Sequence, residues 1–122
     1  MDKETMKQRT KQFALRNIRL IQTLPPGQVS DVLSKQLLRS STSVGANYRA
    51  ACRAKSTADF IYKLSIVEEE ADESAYWLEL LVESGLVKAS LLEELMQEAD
   101  ELVAITVATI RSTKQKEPKQ SL

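Results

Sequence analysis

The sequence predicts an all-α protein, an antiparallel up-and-down four-helix bundle, and three observations carry that prediction. Apolar residues recur at the helical spacing of 3.6 through four separate stretches. Each stretch is closed or opened by a recognisable stop or cap signal. The chain also holds only three Gly, three Pro and six aromatics (two Phe, one Trp, three Tyr), too few turn and strand formers for a sheet protein. At 122 residues it makes one domain with one core.

The first helix is expected over about 5–24. Met6, Phe13, Ile21 and Leu24, with Ala14 and Leu20 alongside, form its apolar side, and Lys7, Arg9, Lys11, Arg16 and Arg19 lie mostly opposite. Pro25-Pro26-Gly27 stops it, because Pro has no N–H to donate and disfavours helix in the residue before it. A turn that short favours an antiparallel second helix.

The second helix is expected over about 30–53, with Leu33, Leu37, Val44, Tyr48 and Ala51 inward. Lys35, Arg39, Arg49 and Arg53 fall within about one quadrant on the opposite side, with Thr42 and Ala46 between them and Gly45 close by. An interior Gly costs about 1 kcal/mol relative to Ala. Gly45 therefore reads either as a close approach of a neighbouring helix or as an opening of the backbone toward a ligand.

Ser56 and Asp59 have the spacing of a capping box and open a third helix over about 57–84, closed by Gly85 as a left-handed C-cap. This helix carries two stripes. Phe60, Leu64, Val67, Ala71, Ser74, Leu78 and Leu81 make the first, suited to the bundle core. Tyr62, Ile66, Glu73, Tyr76, Trp77 and Leu80 make the second, turned by more than about 100° from the first. A small bundle buries one stripe per helix, and aromatic anchors are typical of interface centres. The second stripe therefore reads as a subunit interface, unless the tail or the loop before Ser30 folds over it. Lys63 and Glu70 sit on the boundary between stripes, placed for a polar contact.

Ser90 and Glu93 have the same box spacing and predict a fourth helix over about 91–111, periodic through Leu91, Leu92, Leu95, Ala99, Leu102, Val103, Thr106 and Ile110. The domain then spans 1–113, and 114–122 reads as a disordered tail that contains Pro118.

Charge is balanced overall but segregated. Residues 1–63 hold 12 Lys/Arg against 4 Asp/Glu, and residues 64–110 hold 1 against 12. Either the basic half packs beside the acidic half, or a basic surface is left for a polyanion. Arg39, Arg49, Arg53 and Lys55 are the candidates for anion contact, with Asn47 as a polar positioning group. No aromatic accompanies them, so any nucleic-acid contact would be to the backbone.

Catalytic chemistry finds no support. The chain has no His, which removes the usual general base and every Ser-His or Cys-His pair. Glu69 points away from Glu70 and Glu73, so no carboxylate metal site is expected, and no Gly-rich phosphate loop is present. No cofactor or metal is expected. The single Cys52 reads as a small core residue and excludes an internal disulfide, consistent with a reducing cytoplasm. No apolar run approaches the roughly 20 residues of a membrane span, and the start, MDKETMKQRT, is not a secretory signal.

Three strings, QLLRSSTSVGANYRAACRAKS (Gln36–Ser56), DFIYKLSI (Asp59–Ile66) and EEADESAYWLELL (Glu69–Leu81), resemble the bacterial four-helix-bundle family of 23S rRNA intervening-sequence proteins. The chain departs from many members at Gly45, Ala50 and Glu69. The resemblance implies a left-handed up-and-down bundle that assembles into a ring, usually a pentamer. More distantly it implies kinship with the accessory variability protein of diversity-generating retroelements, whose basic ring binds nucleic acid and a reverse transcriptase. The function expected is a non-enzymatic, cytoplasmic homo-oligomeric scaffold facing RNA or a protein partner; the alternative is an adaptor or structural ring that binds no nucleic acid.

Overall fold

The computed structural model describes residues 2–117 and contains four helices: α1 (Lys3–Thr23), α2 (Gln28–Cys52), α3 (Thr57–Glu83) and α4 (Ala89–Lys116). Successive helices pack against each other, and α4 closes onto α1 through the thinnest contact of the bundle. None of them is long and apolar enough to cross a membrane.

The helix ends follow from local chemistry. Asp2 caps α1, its Oδ1 accepting the Thr5 N–H at 2.7 Å, and that bond holds the Asp2 carboxyl below its ordinary pKa. Leu24 is extended, as the residue before Pro25 should be. Gly27, at φ +154°, precedes α2, which starts two residues ahead of the expected Ser30.

At α3 the predicted cap forms with a shifted return arm. Ser56 Oγ accepts the Asp59 N–H at 3.0 Å, while Asp59 Oδ2 accepts the Lys55 N–H at 3.3 Å and the Lys63 ammonium at 2.9 Å. The Lys63 bond is the first cause of the lowered Asp59 pKa. Gly85, at φ +82°, ends α3 with the two bonds of a Schellman motif, Leu86 N–H to the Leu81 carbonyl and Gly85 N–H to the Val82 carbonyl.

The α4 box expected from Ser90 and Glu93 does not form. The helix starts at Ala89, Ser90 lies inside its first turn, and the N-cap Lys88 makes no side-chain cap bond. The far end also differs from expectation: Lys114–Lys116, assigned to an unstructured tail, are helical. Thr113 Oγ1 donates to the Thr109 carbonyl at 2.7 Å, and Lys114 and Lys116 suit the negative end of the helix dipole. The rest of that tail, 118–122, lies outside the described residues.

Among the described residues seventeen hydrophobic ones form the core, including Phe13, Leu37, Val44, Leu64, Val67, Leu78, Leu81, Leu92 and Leu102. Polar residues are buried with them: Ser74 and Thr106 on the expected stripes, and Thr10, Asn17, Ser40 and Ser41, which the apolar pattern did not reveal. Thr10, Asn17 and Thr106 bond back to the carbonyls of Met6, Phe13 and Leu102, and the Ser40 and Ser74 hydroxyls meet at 2.9 Å across α2 and α3. The hydroxyls and the Asn17 amide N–H find partners this way, while Asn17 Oδ1 is buried without one among the described residues. Gly45 marks a close approach of α1, because a Cβ there would lie 3.3 Å from Thr10 Oγ1.

Candidate functional site

Two surfaces need a functional account: the outer stripe of α3 and the basic side of α1 and α2. On α3, Tyr62 and Tyr76 are 64% and 52% exposed. Ile66, Glu73, Trp77 and Leu80 are half-buried, and Trp77 and Leu80 also reach the edge of the core. Tyr76 and Trp77 meet edge-to-face with centroids 5.1 Å apart, and Trp77 Nε1 is buried with no acceptor among the described residues.

The cations expected to gather as one anion site are divided by their partners. Arg39 is turned toward α3, where it pairs with Glu70 (3.1 Å) and with Glu73. Glu70 is thus engaged by Arg39 in place of the contact expected with Lys63, whose ammonium bonds Asp59 one helical turn away at 2.9 Å. On the α1–α4 side, Arg9 forks onto Glu98, with Nε to Oε2 at 3.0 Å, and reaches Glu101 at 3.6 Å. The Glu98 bond is the first cause of the raised Arg9 pKa. Two cations of the basic half, Arg9 and Arg39, are thus met by acids of the acidic half.

Arg49, Arg53 and Lys55 are exposed at the end of α2 and just beyond it, and none of the three side chains is in an ion pair within salt-bridge distance among the described residues. Asn47 is separate from them. Its amide donates to the Ser43 carbonyl at 2.9 Å, and it sits about 160° around α2 from Arg49 at 100° per residue. Arg49, Arg53 and Lys55 thus share exposure without an ion pair among the described residues, and Arg39 and Asn47 are set apart by their own partners.

Sequence reasoning missed the α1 half of this surface. A cleft of about 450 Å³ runs between α1 and α2, with Lys7, Gln8 and Lys11 on one wall and Arg49 on the other. Its floor is Thr10, Ala14, Thr42, Gly45 and Ala46. The available signal was Lys7 and Lys11 spaced i, i+4 on either side of Thr10, matched by the small residues of α2.

The described residues contain no group of three or more His, Cys, Asp or Glu placed to hold a metal ion. Tyr48 is buried, with its phenol pKa raised by burial first and then by Cys52 beside it.

Fold and surface together define an antiparallel four-helix bundle with one basic side and one aromatic side. A solved crystal structure is similar over most of its length: a protein of unknown function from the S23 ribosomal protein family of Bacteroides thetaiotaomicron VPI-5482. It shares 39% identity at a TM-score of 0.84, covering 91% of this chain and 99% of that one. The family model described as 23S rRNA-intervening sequence protein matches residues 2–108. The chain belongs to that family. Comparison with curated proteins gave no match.

Proposed function

We propose that this protein is a non-enzymatic scaffold that assembles into a homo-oligomer, a pentameric ring, and presents its basic side to RNA. One observation carries the RNA-facing part. Acids of α3 and α4 hold Arg39 and Arg9, yet Arg49 and Arg53 are left exposed without an ion pair among the described residues. An exposed cation cluster is the feature that a polyanion uses. The family name, which ties its members to 23S rRNA intervening sequences, agrees with an RNA partner.

Assembly rests on the α3 stripe. Tyr62 and Tyr76 expose much of their rings beside Ile66, Trp77 and Leu80 on one helix face. Such aromatics form hot spots when a partner removes them from water. The chain without His offers no general base of the usual kind, in keeping with a scaffold rather than an enzyme.

A second reading, a protein adaptor or structural ring, is favoured by Arg39 and Arg9, whose charges are met by Glu70, Glu73 and Glu98 within the chain. Fluorescence anisotropy with a labelled single-stranded RNA separates the two. The RNA reading expects binding whose logarithm falls linearly with the logarithm of salt. No binding at the lowest salt would leave the adaptor.

A further inference from the structure

We propose that the cleft between α1 and α2 is the seat of a nucleic-acid strand, held by its phosphates between Lys7 and Lys11 on one wall and Arg49 on the other. This rests on the RNA-facing reading and moves its centre from the end of α2 to a groove built by two helices. Lys7 and Lys11 are one helical turn apart, about 6 Å along the axis, so they present two ammonium groups in a row. Arg49 faces them across a floor of small residues, Thr42, Gly45 and Ala46 among them. One carboxylate shares the cleft, Glu4, and Lys7 holds it at 3.4 Å. The lining therefore carries three positive charges against one negative.

The lining also indicates which kind of macromolecule fits. Protein interfaces centre on aromatic or large apolar anchors and are depleted in Lys. This cleft has neither kind of anchor; Ala14 and Ala46 are its only apolar side chains. With no ring to stack a base, contact stops at the phosphates, so binding is independent of sequence and comparable for RNA and DNA strands. The apolar stripe of α3 lies on a different helix, so assembly and strand binding are separable by mutation.

The test compares three charge-reversed pairs on the full chain: Lys11→Glu with Arg49→Glu in the cleft, Arg53→Glu with Lys55→Glu beyond it, and Lys88→Glu with Lys114→Glu as a charge-matched control. The probe is a short mixed-sequence single-stranded RNA, with DNA of the same sequence alongside. Circular dichroism and light scattering check the fold and mass of each variant. For wild type, three phosphate contacts predict a roughly 20-fold loss of affinity between about 50 and about 200 mM salt. The cleft pair is expected to lose at least tenfold in affinity at unchanged mass and to flatten that salt slope, with the control near wild type. If the wild type binds neither strand, both the RNA reading and the cleft assignment fall. If it binds and only the Arg53 and Lys55 pair weakens it, the RNA reading stands and the cleft assignment is overturned. Loss of assembly in the cleft pair would place a second copy in the groove and overturn it as well.

Discussion

Gly45 of α2 lies against Thr10 of α1 so closely that a Cβ added to the glycine would sit 3.3 Å from Thr10 Oγ1 and 3.4 Å from Thr10 Cβ. This contact fixes how near the two helices run and makes the floor of the basic cleft. It also settles what an interior glycine is doing in a helix, as a close approach of α1. Gly45→Ala gains up to about 1 kcal/mol of helix propensity and meets a tight contact, so its stability should stay within about 1 kcal/mol of wild type. Gly45→Leu must push α1 away and should lose about 1–3 kcal/mol. Urea unfolding of both variants checks this, and a Leu variant as stable as wild type would contradict the packing.

Arg9 and Glu98 fasten the thinnest seam of the bundle, between α1 and α4. Their side chains are only 25% and 16% exposed, and the contact is two-pronged, so it should exceed an ordinary surface pair. Arg9→Ala is expected to cost about 1–2 kcal/mol. A double-mutant cycle with Glu98→Ala should return a coupling of at least about 0.5 kcal/mol. Coupling near zero would mean that the seam is held by apolar contact alone.

The two capping signals make opposite predictions. Ser56 Oγ accepts the Asp59 N–H, so Ser56→Ala should cost about 0.5–2 kcal/mol. Ser90 makes no cap bond at α4, so Ser90→Ala should stay within about 0.5 kcal/mol. Thermal melts of the two variants distinguish them directly.

Tyr48 gives the protein an alkaline limb. Its phenol pKa is raised on folding, by burial and then by Cys52, so the neutral form is the one that the folded state favours. The stability this provides is complete below the ordinary tyrosine value of 10.0 and is lost as pH rises from there toward the folded value. Unfolding free energies on either side of that value should fall less steeply for Tyr48→Phe than for wild type. Identical slopes would contradict the assignment.

The fold was legible because it rests on long periodic stripes and on Pro and Gly stops that act locally. Pro25, Ser56 and Gly85 each set a boundary by backbone chemistry that a sequence displays directly. The end of α4 and the Ser90 signal were not, since a box spacing cannot show which residue the first turn will choose. Buried Thr10, Asn17 and Ser41 escaped because their burial depends on a neighbouring helix coming close, which no pattern within one helix records. The site was legible by halves. Helical angles placed Arg49 and Arg53 outward, but the partners of Arg39 and the cleft walls from Lys7 and Lys11 come from a second helix.

The central claim is that the aromatic stripe of α3 joins copies of the chain. The most direct measurement is solution mass by light scattering, at low and high salt, for wild type and for Tyr62→Glu combined with Tyr76→Glu. Both tyrosines are largely exposed in the single chain, so the variant should keep its helical spectrum. Wild type is expected to run as a multimer near five subunits at both salts, held by apolar contact that salt does not screen, and the variant as a monomer. A wild-type monomer at both salts would contradict the account.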